Sequence, residues 1–371
     1  MIPFIGFTPD VDPTTPGVMQ SVTNMIPTVK GMAGAPSKKS TSYAALASAA
    51  HGLAIISKLD GTRRVFSGTS TKMYEANSGS WTDRTRAVGG DYTLGVDQRW
   101  SFAQFGDVTL AASKTDTIQY STTGAFANIA AAPKANYIAV SQGFVMAADT
   151  NDGTYGDQSD RFWCCAYMDY TDWTPAVATQ CVTGRLVDSP GPIYALKALG
   201  PGFVAFKQNS IFVASYVGAP AVWQWQQVPG NVGVTSNNVV VSTGYNLLFM
   251  GMDDFYVFDG VRPVSIGTPV REWFFNNVHT SYLYKTQGTY DRVTGNVYWF
   301  YVPRSNTSAT LTAALVYNVK TQKWGHIDLT IEAVSEYIAE GVTYESLGTA
   351  YSTYDSLPTT VSYDSPYWTS G

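Results

Sequence analysis

Acidic and amide side chains are concentrated in residues 148–161, which read ADTNDGTYGDQSDR. These side chains offer the oxygen ligands that calcium prefers. The candidate ligands are Asp149, Asn151, Asp152, Asp157 and Asp160. The spacing departs from the calcium-loop pattern, because Gly153 is the fifth residue counted from Asp149 and the pattern has its glycine at the sixth. The alternative, which the sequence favours, is a polar loop in which Asn and Asp side chains make turn hydrogen bonds.

Residues suited to acid–base catalysis are sparse. The three histidines are His51, His279 and His326. None adjoins a serine or cysteine in a nucleophile motif, and the sequence contains no GxSxG, Walker or HExxH motif. Glycoside hydrolysis needs two carboxylates across a cleft, and the aspartates available at predicted turns are Asp169, Asp172, Asp253 and Asp254. The Ser-x-Asp-x-Gly-x-x-Trp motif of sialidases is absent, so we expect no catalytic or cofactor-binding residue and no enzyme, with a propeller hydrolase as the enzymatic alternative.

The three cysteines, Cys164, Cys165 and Cys181, are too few for a disulfide framework, and no second cluster lies at zinc-ligand spacing. Cys164 and Cys165 are neighbours in a predicted strand, so their side chains should point to opposite faces of the sheet. At least one should be a small buried apolar residue. This cysteine usage fits assembly in a reducing cytoplasm.

Short strands that recur along the chain must position all of these residues. The clearest copy runs over residues 193–228, where four runs that alternate with period two are separated by Gly, Pro or Asn. The second strand of this unit begins at Phe203, and its counterparts begin at Val65, Val108, Phe144, Leu247 and Val297. The third strand begins at Ile211, and its counterparts begin at Lys72, Thr117, Phe162, Phe255 and Ala314.

A bulky aromatic opens the fourth strand in five of the six units, at Trp81, Phe126, Trp173, Trp223 and Trp324. Four strands in a repeat of about 45 residues are typical of a β-propeller blade. The sequence therefore predicts an all-β protein, a β-propeller of about six four-stranded antiparallel blades, although five or seven blades also fit. We expect the recurring aromatics to pack between blades. A β-sandwich with coincidental spacing is the alternative fold.

Three regions follow from composition. Residues 1–40 are rich in Pro and Gly and predict an extended N-terminal arm that adds a strand to a terminal blade or pairs with a neighbouring subunit. Residues 41–330 hold the propeller, with short helices predicted over residues 41–50 and near Trp273 and Phe274. Residues 331–371 are rich in Tyr, Ser and Thr and predict a segment that closes the ring or contacts a partner.

The overall composition suggests a surface that is covered by partners. Charged residues make up 14% of the 371 residues, whereas the chain has 24 Tyr and 10 Trp. Such a surface is typical of a subunit with several partners. The net charge of −5 gives no general attraction for nucleic acid, and the sequence has no window of eighteen apolar residues, so no membrane is expected.

Three long strings carry a family resemblance: residues 4–37, residues 149–225 and residues 247–277. They resemble the tail hub, or nozzle, proteins of short-tailed bacteriophages, a family that includes packaged-DNA stabilisation proteins. The resemblance covers most of residues 1–330, and its motifs are strings that form the fold and not a catalytic signature. Family members often have further C-terminal sequence for docking fibres, and this chain ends soon after a predicted extra strand.

The resemblance implies a virion protein of the phage tail that is assembled in the bacterial cytoplasm. It implies a homohexameric ring below the portal and adaptor rings, in contact with fibre or distal tail proteins, through which double-stranded DNA passes without sequence-specific binding. From the arm, the 148–161 stretch and the tail, the candidate contact residues are Phe4, Phe7, Pro9, Tyr155, Tyr351, Tyr354 and Tyr363. A propeller that binds a host receptor or glycan is the alternative from another functional class.

Overall fold

The computed structural model describes residues 4–38, 43–77 and 79–336. The chain divides into two compact units, Met1–Ser335 and Glu336–Gly371. The predicted C-terminal segment belongs mainly to the second unit, and its residues 337–371 lie outside the described residues. The fold is therefore described for the first unit, which contains the predicted arm and the predicted propeller together.

The N-terminal arm consists of short strands. They are β1 (Gly6–Phe7), β2 (Val18–Met19), β3 (Met25–Thr28) and β4 (Gly31–Gly34). Strands β1 and β2 pair in parallel, whereas β3 and β4 form an antiparallel hairpin. Frequent prolines and glycines keep these strands short, because proline lacks the N–H that a ladder needs.

The next three meanders build one side of the propeller. Blade 1 consists of β5 (Gly52–Ser57), β6 (Arg63–Gly68), β7 (Met73–Asn77) and β8 (Ser80–Asp83). Blade 2 consists of β9 (Ser101–Phe105), β10 (Val108–Ser113), β11 (Asp116–Ser121) and β12 (Ala127–Asn128). Blade 3 consists of β13 (Lys134–Ser141), β14 (Phe144–Asp152), β15 (Gly156–Cys164) and β16 (Val182–Arg185).

Three further meanders build the other side. Blade 4 consists of β17 (Ala195–Leu199), β18 (Gly202–Phe206), β19 (Ile211–Gly218) and β20 (Val222–Gln227). Blade 5 follows a 3₁₀ turn (Asn237–Val239) and consists of β21 (Val240–Ser242), β22 (Leu247–Met250), β23 (Phe255–Phe258) and β24 (Pro263–Ser265). Helix α1 (Arg271–Asn277) and a 3₁₀ segment (Thr280–Lys285) lead to blade 6, which consists of β25 (Gln287–Asp291), β26 (Asn296–Tyr301), β27 (Leu311–Asn318) and β28 (Lys323–Ile331).

The predicted all-β propeller is confirmed, but the meanders are not six separate sheets. One pair, Thr117 with Lys134, joins blades 2 and 3 into a single eight-stranded sheet. The β3–β4 hairpin extends blade 6 to six strands through the pairing of Met25 with His326. The arm thus adds strands to a terminal blade, which is the first of its two predicted roles.

Apolar clusters between neighbouring blades hold the propeller together. Phe66 and Phe126 meet between blades 1 and 2, with their ring centroids 5.3 Å apart. Four of the five recurring aromatics lie in such clusters, namely Phe126, Trp173, Trp223 and Trp324. Trp81 is the exception, because it is only half-buried and packs against Tyr43 at the outer edge of blade 1. Trp173 lies in the loop before β16 and does not open the fourth strand.

Polar contacts join blade 6 and the segment before it to the residues that precede blades 1 and 2. The Asp97 carboxylate, just before β9, pairs with Lys285 Nζ at 3.0 Å and accepts a hydrogen bond from the Tyr284 hydroxyl at 3.2 Å. Glu332 accepts a hydrogen bond from the Ala50 amide at 3.3 Å through its side chain and one from Gln287 at 2.9 Å through its carbonyl. These contacts close the ring around an axis that the first strands of the blades line.

Two local predictions are wrong and one is confirmed. The described part of residues 41–50, from Tyr43 onward, contains no helix, because its Ala and Ser residues have helix propensity without an apolar stripe that packs on the core. The predicted 148–161 loop is the end of the β14–β15 hairpin. Helix α1 forms as predicted, with Phe274 fully buried and Trp273 half-buried.

Candidate functional site

The candidate calcium ligands are neutralised by neighbouring basic residues. Lys114, from the β10–β11 turn of blade 2, places its Nζ 2.5 Å from an Asp149 carboxylate oxygen and 2.6 Å from one of Asp157. Asn136 also donates a hydrogen bond to Asp149. The lysine ammonium therefore occupies the position between the two carboxylates where a cation would bind.

The other candidate ligands serve the hairpin itself. Asp152 accepts hydrogen bonds from the amides of Thr154 and Tyr155 at the tip and from Trp163 Nε1. Asp160 forms a two-pronged ion pair with Arg185 on the adjacent strand, with distances of 2.9 and 2.8 Å. Asn151 lies in the ladder opposite Asp157. In the part of the chain that the structure describes, no group of three or more His, Cys, Asp or Glu residues converges on one point.

Burial affects the pKa values of Lys114 and Asp149. It raises the pKa of Asp149, although the hydrogen bonds from Lys114 and Asn136 act in the opposite direction. Burial also acts to lower the pKa of Lys114, but the bonds to Asp149 and Asp157 outweigh it and the pKa is raised. Lys114 therefore stays protonated and holds blade 2 against blade 3 by a charged contact that is largely shielded from water.

The histidines lie in three separate environments. His51 is buried, and its Nδ1 lies 2.8 Å from the Gln98 carbonyl oxygen. His279 packs against the ring of Tyr282. His326 Nε2 lies 3.0 Å from the Tyr301 hydroxyl, and burial lowers the pKa of its imidazole.

The aspartates considered for glycoside hydrolysis are held in local contacts. Asp169 and Asp172 accept hydrogen bonds from the amides of Thr171 and Thr174, two residues further along in each case. Asp253 and Asp254 lie on blade 5, at the β22–β23 turn. Asp253 accepts a hydrogen bond from the Tyr256 hydroxyl at 3.1 Å. Asp254 is buried, and its partners are the Phe255 amide, Ser265 and Arg271.

The cysteines pack as predicted. Cys164 lies in the cluster between blades 3 and 4, whereas Cys165 lies in the cluster between blades 2 and 3, so the two side chains point to opposite faces of β15. Burial raises the pKa of Cys165 and Cys181 to about 12. All three cysteines are buried thiols.

The candidate contact residues divide into four groups. Phe4 is 56% exposed and Tyr155 is 44% exposed, so both can meet a partner. Pro9 is half-buried. Phe7 was expected at an interface but is 1% exposed, because its ring packs edge-on against Trp273 with centroids 4.8 Å apart. Tyr351, Tyr354 and Tyr363 lie outside the described residues.

An exposed apolar patch spans the ends of blades 3 and 4. Its members are Tyr167, Met168, Tyr216 and Val217, which are 40–63% exposed. The rings of Tyr167 and Tyr216 both contact the buried Phe144, with centroid distances of 5.2 and 5.7 Å. We call these four residues the blade 3–4 patch. Sequence reasoning missed it because Tyr167 and Met168 follow β15 in a loop, and only the fold brings them beside Tyr216.

Cavities lie along the propeller axis. One has a volume of about 540 Å³ and is lined by the first strands of blades 1 to 5. A cavity of about 110 Å³ shares Lys197 and Asn238 with it, and one of about 330 Å³ shares Asn237 and Asn238. Sequence reasoning missed Lys197, and the signal that could have found it is a lone lysine in the otherwise apolar run IYALKAL.

Another cavity, of about 560 Å³, lies between blades 2 and 3. Trp163 and Trp173 contribute to its wall, together with Lys134, Asn151 and Asp152. Both indole nitrogens are engaged, because Trp163 donates to Asp152 and Trp173 donates to the Tyr170 carbonyl. Each tryptophan is almost wholly buried, so little of either indole is accessible from the cavity.

No protein-family model matches this chain, and no curated protein matches it. Among solved structures, it is similar to the extracellular domain of a protein described as the one component system BT4673 from B. thetaiotaomicron, with 9% identity and a TM-score of 0.48. That alignment covers 80% of this chain and 36% of the other, so this chain spans about a third of that protein's length. A chain of the mitotic checkpoint complex matches with 9% identity and a TM-score of 0.42, over 73% of this chain and 81% of the other. Neither likeness bears on function. Within the described residues, no helix has the length and apolar character needed to cross a bilayer.

Proposed function

We propose that this chain is a structural subunit of the tail of a short-tailed bacteriophage. Six copies would form the hub, or nozzle, ring below the portal and adaptor rings and surround the channel that holds and then delivers the genome. The observation that carries this proposal is where the resembling strings lie in the fold. Residues 149–225, the longest of them, run from within β14 to the end of blade 4 and include the blade 3–4 patch.

The blade 3–4 patch supports an assembly role. Exposed apolar groups that are contiguous mark sites of protein contact more often than scattered ones do. In a closed ring of identical subunits each interface is heterologous, so this patch would meet a different surface of the next copy. The exposed Phe4 and Ile5 at the start of the arm are the candidate surface, because they are held at the edge of blade 6, where Lys323 Nζ binds the Phe4 carbonyl at 2.9 Å.

The proposed assembly can be tested with charged variants of the patch. Met168→Lys and Val217→Lys alter exposed side chains, so the fold should be kept while the contact is lost. Val261→Lys is the matched control, because Val261 is 73% exposed in the turn between β23 and β24. Mass photometry and incorporation into tails should show assembly for the wild type and the control and none for the patch variants. Equal assembly by all four proteins would contradict the proposed interface.

A receptor- or glycan-binding propeller of the virion is the second candidate. The cavity between blades 2 and 3 favours it, because a space of about 560 Å³ lined by alanine and proline beside Asn151 and Asp152 has the mixture of apolar and polar groups found in ligand sites. Binding of the isolated chain to host polysaccharide, lost in Asn151→Ala, would favour this function over the hub. The absence of such binding, together with a ring on the tail axis, would reject it.

A further inference from the structure

Lys197 is a basic residue without an acidic partner at the propeller axis. It lies in the middle of β17, opposite Val204, and lines two of the axial cavities. Its ammonium has no hydrogen bond or ion pair with any described residue. Lys207 is the contrasting case, because its buried Nζ donates to the Leu186 and Ser189 carbonyls, both at 2.6 Å.

The two cavities that Lys197 lines are rich in hydrogen-bond donors, whereas Asp97 lines the adjoining 330 Å³ cavity. The charged residues that line the two cavities are Lys197 and Arg99, and the described lining includes no carboxylate. The amide side chains of Asn238 and Gln287 share the smaller cavity with Lys197. In the adjoining 330 Å³ cavity, Thr235 Oγ1 and Ser236 Oγ are buried hydroxyls without a partner among the described residues.

Lys197 is half-buried and faces the cavities. An ammonium that is partly removed from water and has no protein partner is disfavoured, so losing its proton or acquiring an anion relieves it. The other buried or half-buried lysines discussed above have partners, either two carboxylates at Lys114 or two carbonyls at Lys207. Lys197 instead faces a cavity of about 540 Å³. This volume lies within the usual range for small-molecule sites.

We propose that the axial cavity beside Lys197 binds a small polar molecule that carries an oxyanion, with a phosphate group as the anionic part. Lys197 Nζ supplies the charge, and Asn238 and Gln287 supply neutral hydrogen-bond donors. Arg99 reinforces the positive potential from the side of blade 2, where its Nη1 donates to the Ala50 carbonyl at 3.3 Å. This site is independent of the proposed tail function, because it depends only on the interior of one propeller.

The pH dependence follows from the same geometry. Burial lowers the pKa of Lys197 to about 8. The other titratable groups around it are His51 and Arg99, which line the smaller cavity, and Glu332, which contacts Ala50 beside it. The adjoining 330 Å³ cavity adds Asp97, Tyr137, Tyr194 and Tyr284. An anion needs the protonated lysine, so binding should be full below pH 8 and weaken as the pH rises above it.

Inorganic phosphate is the probe for the test. Its effect on the melting temperature and its binding heat are measured at constant ionic strength, with chloride replacing phosphate in the reference. Phosphate should stabilise the wild type at pH 7 and much less at pH 9.5. In Lys197→Met the affinity should fall about tenfold or more, because a charge-assisted hydrogen bond is lost.

Two further variants and a pair of sugars serve as controls. Lys30→Met removes an exposed lysine from the β3–β4 turn and should bind phosphate like the wild type. Lys197→Arg keeps the charge and should keep binding, which covers the case in which Lys197→Met does not fold. Binding of glucose 6-phosphate is then compared with binding of glucose. Binding of the phosphorylated sugar alone indicates recognition of the phosphate group, whereas binding of both indicates recognition of the neutral part. Equal stabilisation of Lys197→Met and the wild type would show an adventitious ion only, and the absence of phosphate binding to the wild type would overturn the proposal.

Discussion

Glu75 holds two arginines in blade 1 and thereby ties this blade to blade 2. Its carboxylate lies 2.5 Å from Arg64 Nε and 2.6 Å from Arg84 Nε, and Arg64 also donates to Ser121 Oγ on β11 at 3.0 Å. Both Glu75 and Arg64 are buried. Although burial acts to raise the pKa of Glu75, the hydrogen bonds from Arg64 and Arg84 outweigh it and hold the pKa below the usual 4.5.

Glu75→Gln should destabilise the protein by about 3 kcal/mol at pH 7, because it leaves the Arg64 guanidinium buried without its charged partner. A carboxyl whose pKa is lowered by folding contributes its stability above the unfolded pKa and loses it as the pH falls through the folded pKa. The difference in melting temperature between wild type and Glu75→Gln should therefore shrink below pH 4.5. Asp60→Asn, at an exposed turn, is the control, and a difference that is constant down to pH 3 would contradict this account.

Lys114 makes a second residue-scale prediction, which concerns metal ions. Because its ammonium lies between Asp149 and Asp157, calcium should not bind to the hairpin of wild-type protein. Calcium at 100 times its dissociation constant would stabilise a real site by about 2.7 kcal/mol. We therefore expect the same melting temperature in calcium and in EDTA. A calcium concentration of about 5 mM is enough for the test, since it exceeds the dissociation constants of weak extracellular sites. A higher melting temperature in calcium would show that calcium displaces the lysine.

At the scale of elements, the N-terminal arm is anchored by a few contacts. Gly6 has a φ of +116°, and a Cβ at this position would lie 3.1 Å from the Trp324 carbonyl oxygen, so β1 can approach β28 only with glycine there. Asp10 then caps α1 by accepting hydrogen bonds from the Glu272 and Trp273 amides at 2.7 and 2.9 Å. The arm therefore belongs to the fold of its own chain as far as Asp10.

Phe7→Ala should reduce the free energy of unfolding by about 3 to 5 kcal/mol, since it removes a fully buried ring from the cluster beside Trp273. Phe4→Ala is the control three residues earlier and should change stability by less than about 0.5 kcal/mol, because Phe4 is exposed. Chemical denaturation of the two variants measures the difference. Equal stability would mean that the arm detaches in solution.

Local sequence locates the strands, whereas contacts with distant residues cannot be read from it. The second strands of the units are short apolar runs bounded by turn residues, so β10, β14 and β18 can be located from local sequence. The sequence predicts a loop at the tip of the β14–β15 hairpin because Asp149, Asp152 and Asp157 are turn formers. Asp149 and Asp157 lie in the hairpin instead, with partners that local patterns cannot show, namely Lys114 in the β10–β11 turn and Asn136 on β13.

The candidate sites are likewise predictable only where local sequence defines the position of a side chain. The burial of Cys164 and Cys165 on opposite faces followed from their adjacency in a strand, and the inter-blade positions of Trp223 and Trp324 followed from the repeat. The sequence predicts Phe7 at an interface because an arm rich in proline gives no sign of which side chain turns inward. The cavity beside Lys197 and the blade 3–4 patch cannot be found from sequence, since cavities and patches are made by residues far apart in the chain.

For the whole molecule, low charge and exposed aromatic groups fit a subunit that is covered by partners. Charged residues are 14% of the chain, well below the usual quarter for a soluble protein. A ring built from such subunits would gain its stability from apolar contacts between copies and would place few fixed charges against passing DNA. Tight phosphate contacts along the channel would hinder passage, because each one must be broken as the genome moves.

Cryo-electron microscopy of the phage particle that carries this chain, with a tag at the exposed Val261 turn, tests the tail-hub proposal most directly. The proposal predicts six copies in a closed ring on the tail axis, directly below the portal and adaptor, with the blade 3–4 patch covered by the next copy. Single copies at the ends of fibres, or a label away from the tail axis, would contradict it.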